Sequence, residues 1–180
     1  MTLTRRIGAL TGGLVLGLSA MASAQITVTL PSTGLTTTMT ATVSEQARVT
    51  VPVGVAFAVN NIGSSTAASA ASVSIDRIVL SSATKQVRIS LQASAASFTP
   101  SVGGSPTWDA ANVSWNAATW TQATGSSGTL SSSAYTAVAT CTANVSDCST
   151  TQLVFTLGAN TSIMNSGSHT LTVTWKIESI

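Results

Sequence analysis

Apolar residues recur at every second position through most of this chain, the period of a strand with one face buried. Ile26, Val28 and Leu30 alternate with Thr27 and Thr29, and Met39, Ala41 and Val43 alternate with Thr38, Thr40 and Thr42. The longest run is Val49, Val51, Val53, Val55, Phe57 and Val59, with Pro52 and Gly54 on its opposite face. Proline donates no ladder hydrogen bond, so this strand is expected to bend at Pro52 or to lie at a sheet edge. Within Val73–Leu80 the apolar phase slips between Ile75 and Ile78, which predicts a bulge near Asp76 and Arg77. Val87, Ile89 and Leu91 are predicted to face inward opposite Arg88, Ser90 and Gln92. Further strands are predicted at Val113–Trp120, Leu130–Thr140, Leu153–Leu157 and Leu171–Ile177.

No window offers a capped pattern of period 3.6, and the Ala-Ser run Thr66–Ser72 has too little bulk to pack as a helix. Roughly eight or nine short strands joined by Gly, Ser, Asn and Pro predict an all-β fold. The expected arrangement is an immunoglobulin-like antiparallel two-sheet sandwich, with a closed barrel as the alternative. Residues 98–112 contain Pro100, Gly103, Gly104 and Pro106 and are expected to form a surface loop. No internal repeat at solenoid or propeller spacing is present.

The first 24 residues read differently. Arg5 and Arg6 precede a weakly apolar stretch, Ile7–Met21, which ends in Ala22, Ser23 and Ala24 before Gln25. Basic, apolar, then small-x-small is the order of a cleaved signal peptide, and the stretch is too short for a membrane span. The paired arginines also allow a twin-arginine leader, although Gly8 stands where that signal usually has a bulky apolar residue. The expected organisation is therefore a signal peptide (1–24) and one β-sandwich domain (25–180). The mature chain is expected to carry no membrane span and to be secreted, in the periplasm, the extracellular space or at the cell surface.

Removing the leader removes the net charge. Arg48, Arg77, Lys85, Arg88 and Lys176 balance Glu45, Asp76, Asp109, Asp147 and Glu178. Nucleic-acid binding needs basic groups concentrated on one face, so no nucleic-acid partner is expected. A neutral surface also protects poorly against self-association. About a third of the mature residues are Ser or Thr, which suits the half-wet outer faces of strands.

Candidate chemistry is sparse. Cys141 and Cys148, the only cysteines, are placed for a disulfide across a hairpin loop, since an exported chain meets an oxidising compartment. A redox pair or half a metal site would need Cys-x-x-Cys spacing or a nearby His. His169, the sole histidine, lies in a predicted turn and no Gly-x-Ser-x-Gly elbow accompanies it. The five mature carboxylates are scattered, so no pair is selected for acid–base work and no calcium cluster is formed. No catalytic residue, metal or cofactor is expected. Trp108, Trp115 and Trp120 fall in or beside the long loop, where they either stack on sugar rings or cover one end of the sandwich. Trp175 keeps phase with the inner face of the last strand and is expected in the core.

Residues 25–35 combine a short alternating strand, carrying Ile26, Val28 and Leu30, with the breaker cluster Pro31-Ser32-Thr33-Gly34. Such a strand either pairs within its own domain or leaves to complete the sheet of another subunit.

Three segments carry a resemblance: Val87–Ala93, Gly128–Tyr135 and His169–Ser179. They resemble a group of uncharacterised secreted bacterial β-sandwich proteins, over most of the mature chain. More distantly, the leader, the Thr-rich sandwich and the terminal Thr-Leu-Thr-Val-Thr-Trp resemble WxL-type wall proteins and TasA- and camelysin-like matrix fibre subunits. The WxL tripeptide itself is missing, since Lys176 and Ile177 follow Trp175. The resemblance implies an exported bacterial β-sandwich and no site residues. The functional expectation is a non-enzymatic secreted or cell-surface structural protein, a self-assembling fibre or matrix subunit. The alternative is a carbohydrate-binding module acting on surface polysaccharide through Trp108, Trp115 and Trp120.

Overall fold

The structure is a computed structural model that describes Thr27 and residues 34–180. The expected leader and Ile26, Val28 and Leu30 lie outside the described residues. The chain divides into two units, Met1–Ala41 and Thr42–Ile180. In the first, the described residues are exposed and form no strand. Every strand among the described residues belongs to the second.

Among the described residues eleven strands follow one another: β1 (Gln46–Thr50), β2 (Thr66–Ala67), β3 (Ala71–Val79), β4 (Val87–Ala93), β5 (Val113–Trp115), β6 (Ala123–Gly125), β7 (Gly128–Thr129), β8 (Thr136–Cys141), β9 (Cys148–Leu153), β10 (Phe155–Leu157) and β11 (Val173–Ser179). One 3₁₀ turn, Ala110–Asn112, precedes β5, and no α-helix occurs among the described residues. The fold is all-β, as the alternation predicts. Three open antiparallel sheets result, in the orders β1-β3-β9, β2-β10-β5-β7 and β11-β4-β8-β6.

β4 is the best-enclosed strand. It pairs with β11 along its whole length, from Val87 opposite Ser179 to Ala93 opposite Val173, and with β8 on its other side. Ile89 and Leu91 are fully buried, each worth roughly 1.5–3 kcal/mol of transfer free energy. The pairing with β8 shifts between Ile89 and Ser90, leaving Val138 as an extra residue. Val138 and Ala139, neighbours in sequence, are consequently both buried.

The predicted bulge is present in β3. Its register against β1 shifts where Asp76–Val79 oppose Gln46–Arg48, and Arg77 takes φ +53°. The Ile78 N–H, freed there from the ladder, donates to the Ser146 carbonyl in the loop after β8.

The chain changes sheets at Val154. Leu153 ends β9 and Phe155 begins β10, so the expected continuous strand Leu153–Leu157 is two short ones in different sheets. Asn116 holds the switch: its Oδ1 accepts from the Val154 N–H at 2.8 Å, and its Nδ2 donates to the Gln152 carbonyl at 3.1 Å. Leu130–Thr140 also divides, with Leu130 buried beyond the end of β7 and β8 starting only at Thr136. Gly128 of β7 lies against the Trp115 ring so closely that a Cβ there would stand 2.5 Å from Cζ2.

One predicted strand is absent and another is cut short. Thr38–Val43 forms no ladder and leaves Met39 and Val43 exposed. The long run starting at Val49 is a strand only to Thr50. From Val51 to Val59 it makes no backbone hydrogen bond within the described residues. Pro52 has no N–H to offer and Gly54 has no side chain to pack, which is why the ladder stops where it does.

Candidate functional site

The core leaves a broad groove open on one side. Leu91 of β4, Trp108, Val113 of β5, Leu130, and Phe155 and Leu157 of β10 form the buried floor of a groove of about 930 Å³. One wall is the unladdered run Val51–Val59. Val51, Phe57 and Val59 of this run pack against the core, while Val53 is fully exposed and Val55 partly so. The other wall is residues 163–173 with Trp175. Met164 on that wall is largely exposed. Among the described residues no Asp, Glu, Lys or Arg lines the groove.

The second wall runs into an open sheet edge. β11 is the outermost strand of its sheet, paired with β4 only. Val173, Trp175 and Ile177 point toward the core yet stay half-buried. Trp175 was expected in the core; it packs against the core from the rim instead, because nothing among the described residues covers the outer edge of β11. Thr174, Lys176 and Glu178 occupy the opposite face. There Glu178 accepts from Arg88 and Lys176, and Lys176 lies 5.4 Å from the centroid of the Tyr135 ring. The charges of β11 therefore face away from the groove.

The ion pairs tie strands together outside the groove. Asp76 on β3 holds Arg48 on β1 at 2.7 and 2.9 Å, and this guanidinium lowers the Asp76 pKa. Glu45 accepts from Lys85 Nζ, the Ser81 N–H and Ser179 Oγ, and these bonds, Lys85 foremost, hold its carboxyl far below the usual range. The Glu178 pKa is lowered by Lys176 first and Arg88 second.

Other sequence candidates are dispersed. Trp108, Trp115 and Trp120 are only 5%, 3% and 8% exposed. Trp108 Nε1 donates to the Gly158 carbonyl and Trp115 Nε1 to the Ser126 carbonyl. Indoles enclosed in this way present no open ring face to a sugar. Cys141 and Cys148 do form a disulfide, but it does not close a hairpin. Cys141 ends β8 and Cys148 begins β9, and these strands lie in different sheets, so the bond fastens one sheet to another. Both sulfurs are buried.

His169 shares a hydrogen bond with Thr107 Oγ1 at 2.8 Å and meets the Trp108 ring edge-on, with centroids 5.2 Å apart. Its ring hydrogen-bonds no serine or carboxylate among the described residues, and its contacts with Thr107 and Trp108 fix one end of the groove wall. Among the described residues no three His, Cys, Asp or Glu side chains are grouped to hold a metal ion. No helix there is long and apolar enough to cross a membrane.

The groove is the feature that sequence reading missed. Its signal was present in Pro52 and Gly54, which mark a strand unable to complete a ladder, but the second wall comes from residues more than a hundred positions away. Comparison with known proteins finds no matching family model, no matching curated protein and no matching solved structure.

Proposed function

We propose that this chain is an exported, non-enzymatic structural protein, secreted or held at the cell surface, that associates with copies of itself. The observation that carries this reading is the outer edge of β11, which has no partner strand among the described residues, beside a groove with an apolar floor. A sheet edge offers a row of unpaired N–H and C=O groups that templates pairing with another chain. Natural edges are usually blunted by inward charges or proline. Here the charges of β11 point outward, and the groove-facing side is left apolar.

The fold supports an immunoglobulin-like sandwich reading. Buried residues of β3 and β9 share one core cluster with those of β4 and β8, the half-buried Val173, Trp175 and Ile177 of β11 pack against it, and the Cys141–Cys148 bond crosses between the sheets of β8 and β9. A disulfide suits an oxidising compartment, in accord with the signal-like leader. Beyond that leader the charge is balanced, which lowers the electrostatic barrier to copies meeting.

Light scattering on the exported protein over a concentration series tests the association. A mass that grows with concentration is expected, and a monomer at every concentration would refute the reading.

A further inference from the structure

We propose that the groove is an acceptor for the segment Gln25–Leu30 of a second copy, which adds as a strand along the outer edge of β11. Ile26, Val28 and Leu30 then enter the groove. This assignment rests on the self-association reading above and names its two surfaces.

Four observations converge. The first is the backbone. Val173–Glu178 have a partner strand on the β4 side only, among the described residues, and an incoming strand supplies the missing ladder.

The second is side-chain alternation. Successive residues of a strand point to opposite faces. With Ile26, Val28 and Leu30 turned inward, they meet Val173, Trp175, Val53 and Val55, the apolar groups left partly or wholly in water. Thr27 and Thr29 turn outward beside Thr174 and Lys176, on the polar face.

The third is size and charge. At about 3.3 Å per residue, a six-residue donor spans roughly 20 Å, close to the seven-residue edge of β11. The donor has no charged side chain, and the groove lining has no Asp, Glu, Lys or Arg among the described residues.

The fourth is the arm between donor and domain. Residues 34–45 are exposed throughout and form no ladder, with Leu35, Met39 and Val43 all in water. Extended at roughly 3.3 Å per residue, those twelve residues alone reach about 40 Å, far enough to meet another copy. Glu45 anchors the root of this arm through Ser81, Lys85 and Ser179.

Cross-linking between two variants tests the assignment. Full-length chains carrying Val28→Cys and Val55→Cys are exported separately, mixed and oxidised, and their peptides are mapped by mass spectrometry. A 28–55 link joining two chains is expected. Neither chain can form that link alone, so it reports exchange directly. Absence of the link in the mixture overturns the assignment. So does a link found only within a chain carrying both substitutions, which would place the segment in its own groove.

Light scattering on the unsubstituted protein separates the two readings. Growing mass without a 28–55 link leaves self-association standing and removes the groove as its site; a monomer removes both. As a second probe, Val28→Asp and Val53→Asp are each expected to lower the assembled fraction at least about tenfold, because each buries a charge at the contact. Val53 is fully exposed, so Val53→Asp is expected to leave the melting of the domain unchanged. Met39→Asp is expected to assemble normally. Loss of assembly in Met39→Asp alone would move the donor to Thr38–Val43 and overturn the assignment.

Discussion

Val87–Ala93 and Val49–Val59 carry the same alternation, and the molecule uses them in opposite ways. The first is β4, held between β11 and β8 with Ile89 and Leu91 fully enclosed. The second leaves the ladder after Thr50 and becomes the wall of a groove, with Val53 wholly in water. Alternation states which face of a strand is apolar. Whether that face is buried depends on partners, and partners are chosen by which backbone groups are available. β4 can pair on both sides. The other run meets Pro52, which lacks an N–H, at the third position after Thr50's ladder neighbour Val49.

The largest test of this contrast is a pair of alanine substitutions. Ile89→Ala should destabilise the domain by about 2–5 kcal/mol in urea denaturation, because a fully enclosed side chain leaves a cavity. Val53→Ala should change stability by no more than about 0.5 kcal/mol, as an exposed position does. Similar losses at the two sites would erase the distinction between them.

The disulfide provides a test of intermediate size. Reduction, or Cys141→Ser with Cys148→Ser, should lower stability by about 2–3 kcal/mol on the chain-entropy account of so short a loop. Denaturation midpoints with and without reductant measure it. The loss should fall on the closed region, where the bond fastens β8 to β9, while assembly through the groove is retained by protein that stays folded. Assembly lost at the same point as the disulfide, in folded protein, would tie the two regions together.

The smallest effect concerns acid. Glu45, Asp76 and Glu178 all have lowered pKa values in the folded chain. Depressed carboxylates contribute stability that is fully present above their ordinary unfolded values and is lost as pH falls through the folded ones. The thermal midpoint should therefore be level from neutral pH to about 5 and fall below about 4, where unfolded carboxylates take up protons. These pairs are exposed, so the decline is modest. Glu45→Gln should show a smaller decline than the unsubstituted chain; an unchanged decline would mean that the clamp from Glu45 to Lys85, Ser81 and Ser179 carries no stability.

Several features were legible in the residues because they are local. The slip between Ile75 and Ile78 announced the bulge, and Arg77 does take a positive φ there. The inward set of β4 followed from period two alone. Other features were illegible because they are set by distant contacts. Leu153–Leu157 reads as one strand, yet Asn116, nearly forty residues earlier, holds the break at Val154. Trp108, Trp115 and Trp120 lie in a region rich in turns, yet burial and carbonyl acceptors at Gly158 and Ser126 enclose two of their N–H groups.

By itself, then, the sequence determined the strand period, the apolar faces, the all-β class and the two cysteines that bond. Each depends on residues a few positions apart, where side-chain direction and backbone chemistry act directly. The tertiary structure decided which alternating runs found partners, that the disulfide joins two sheets, and where the apolar surface stays open. Those outcomes depend on hydrogen-bond pairing between segments far apart in the chain, and a period of two is the same whether or not a partner arrives.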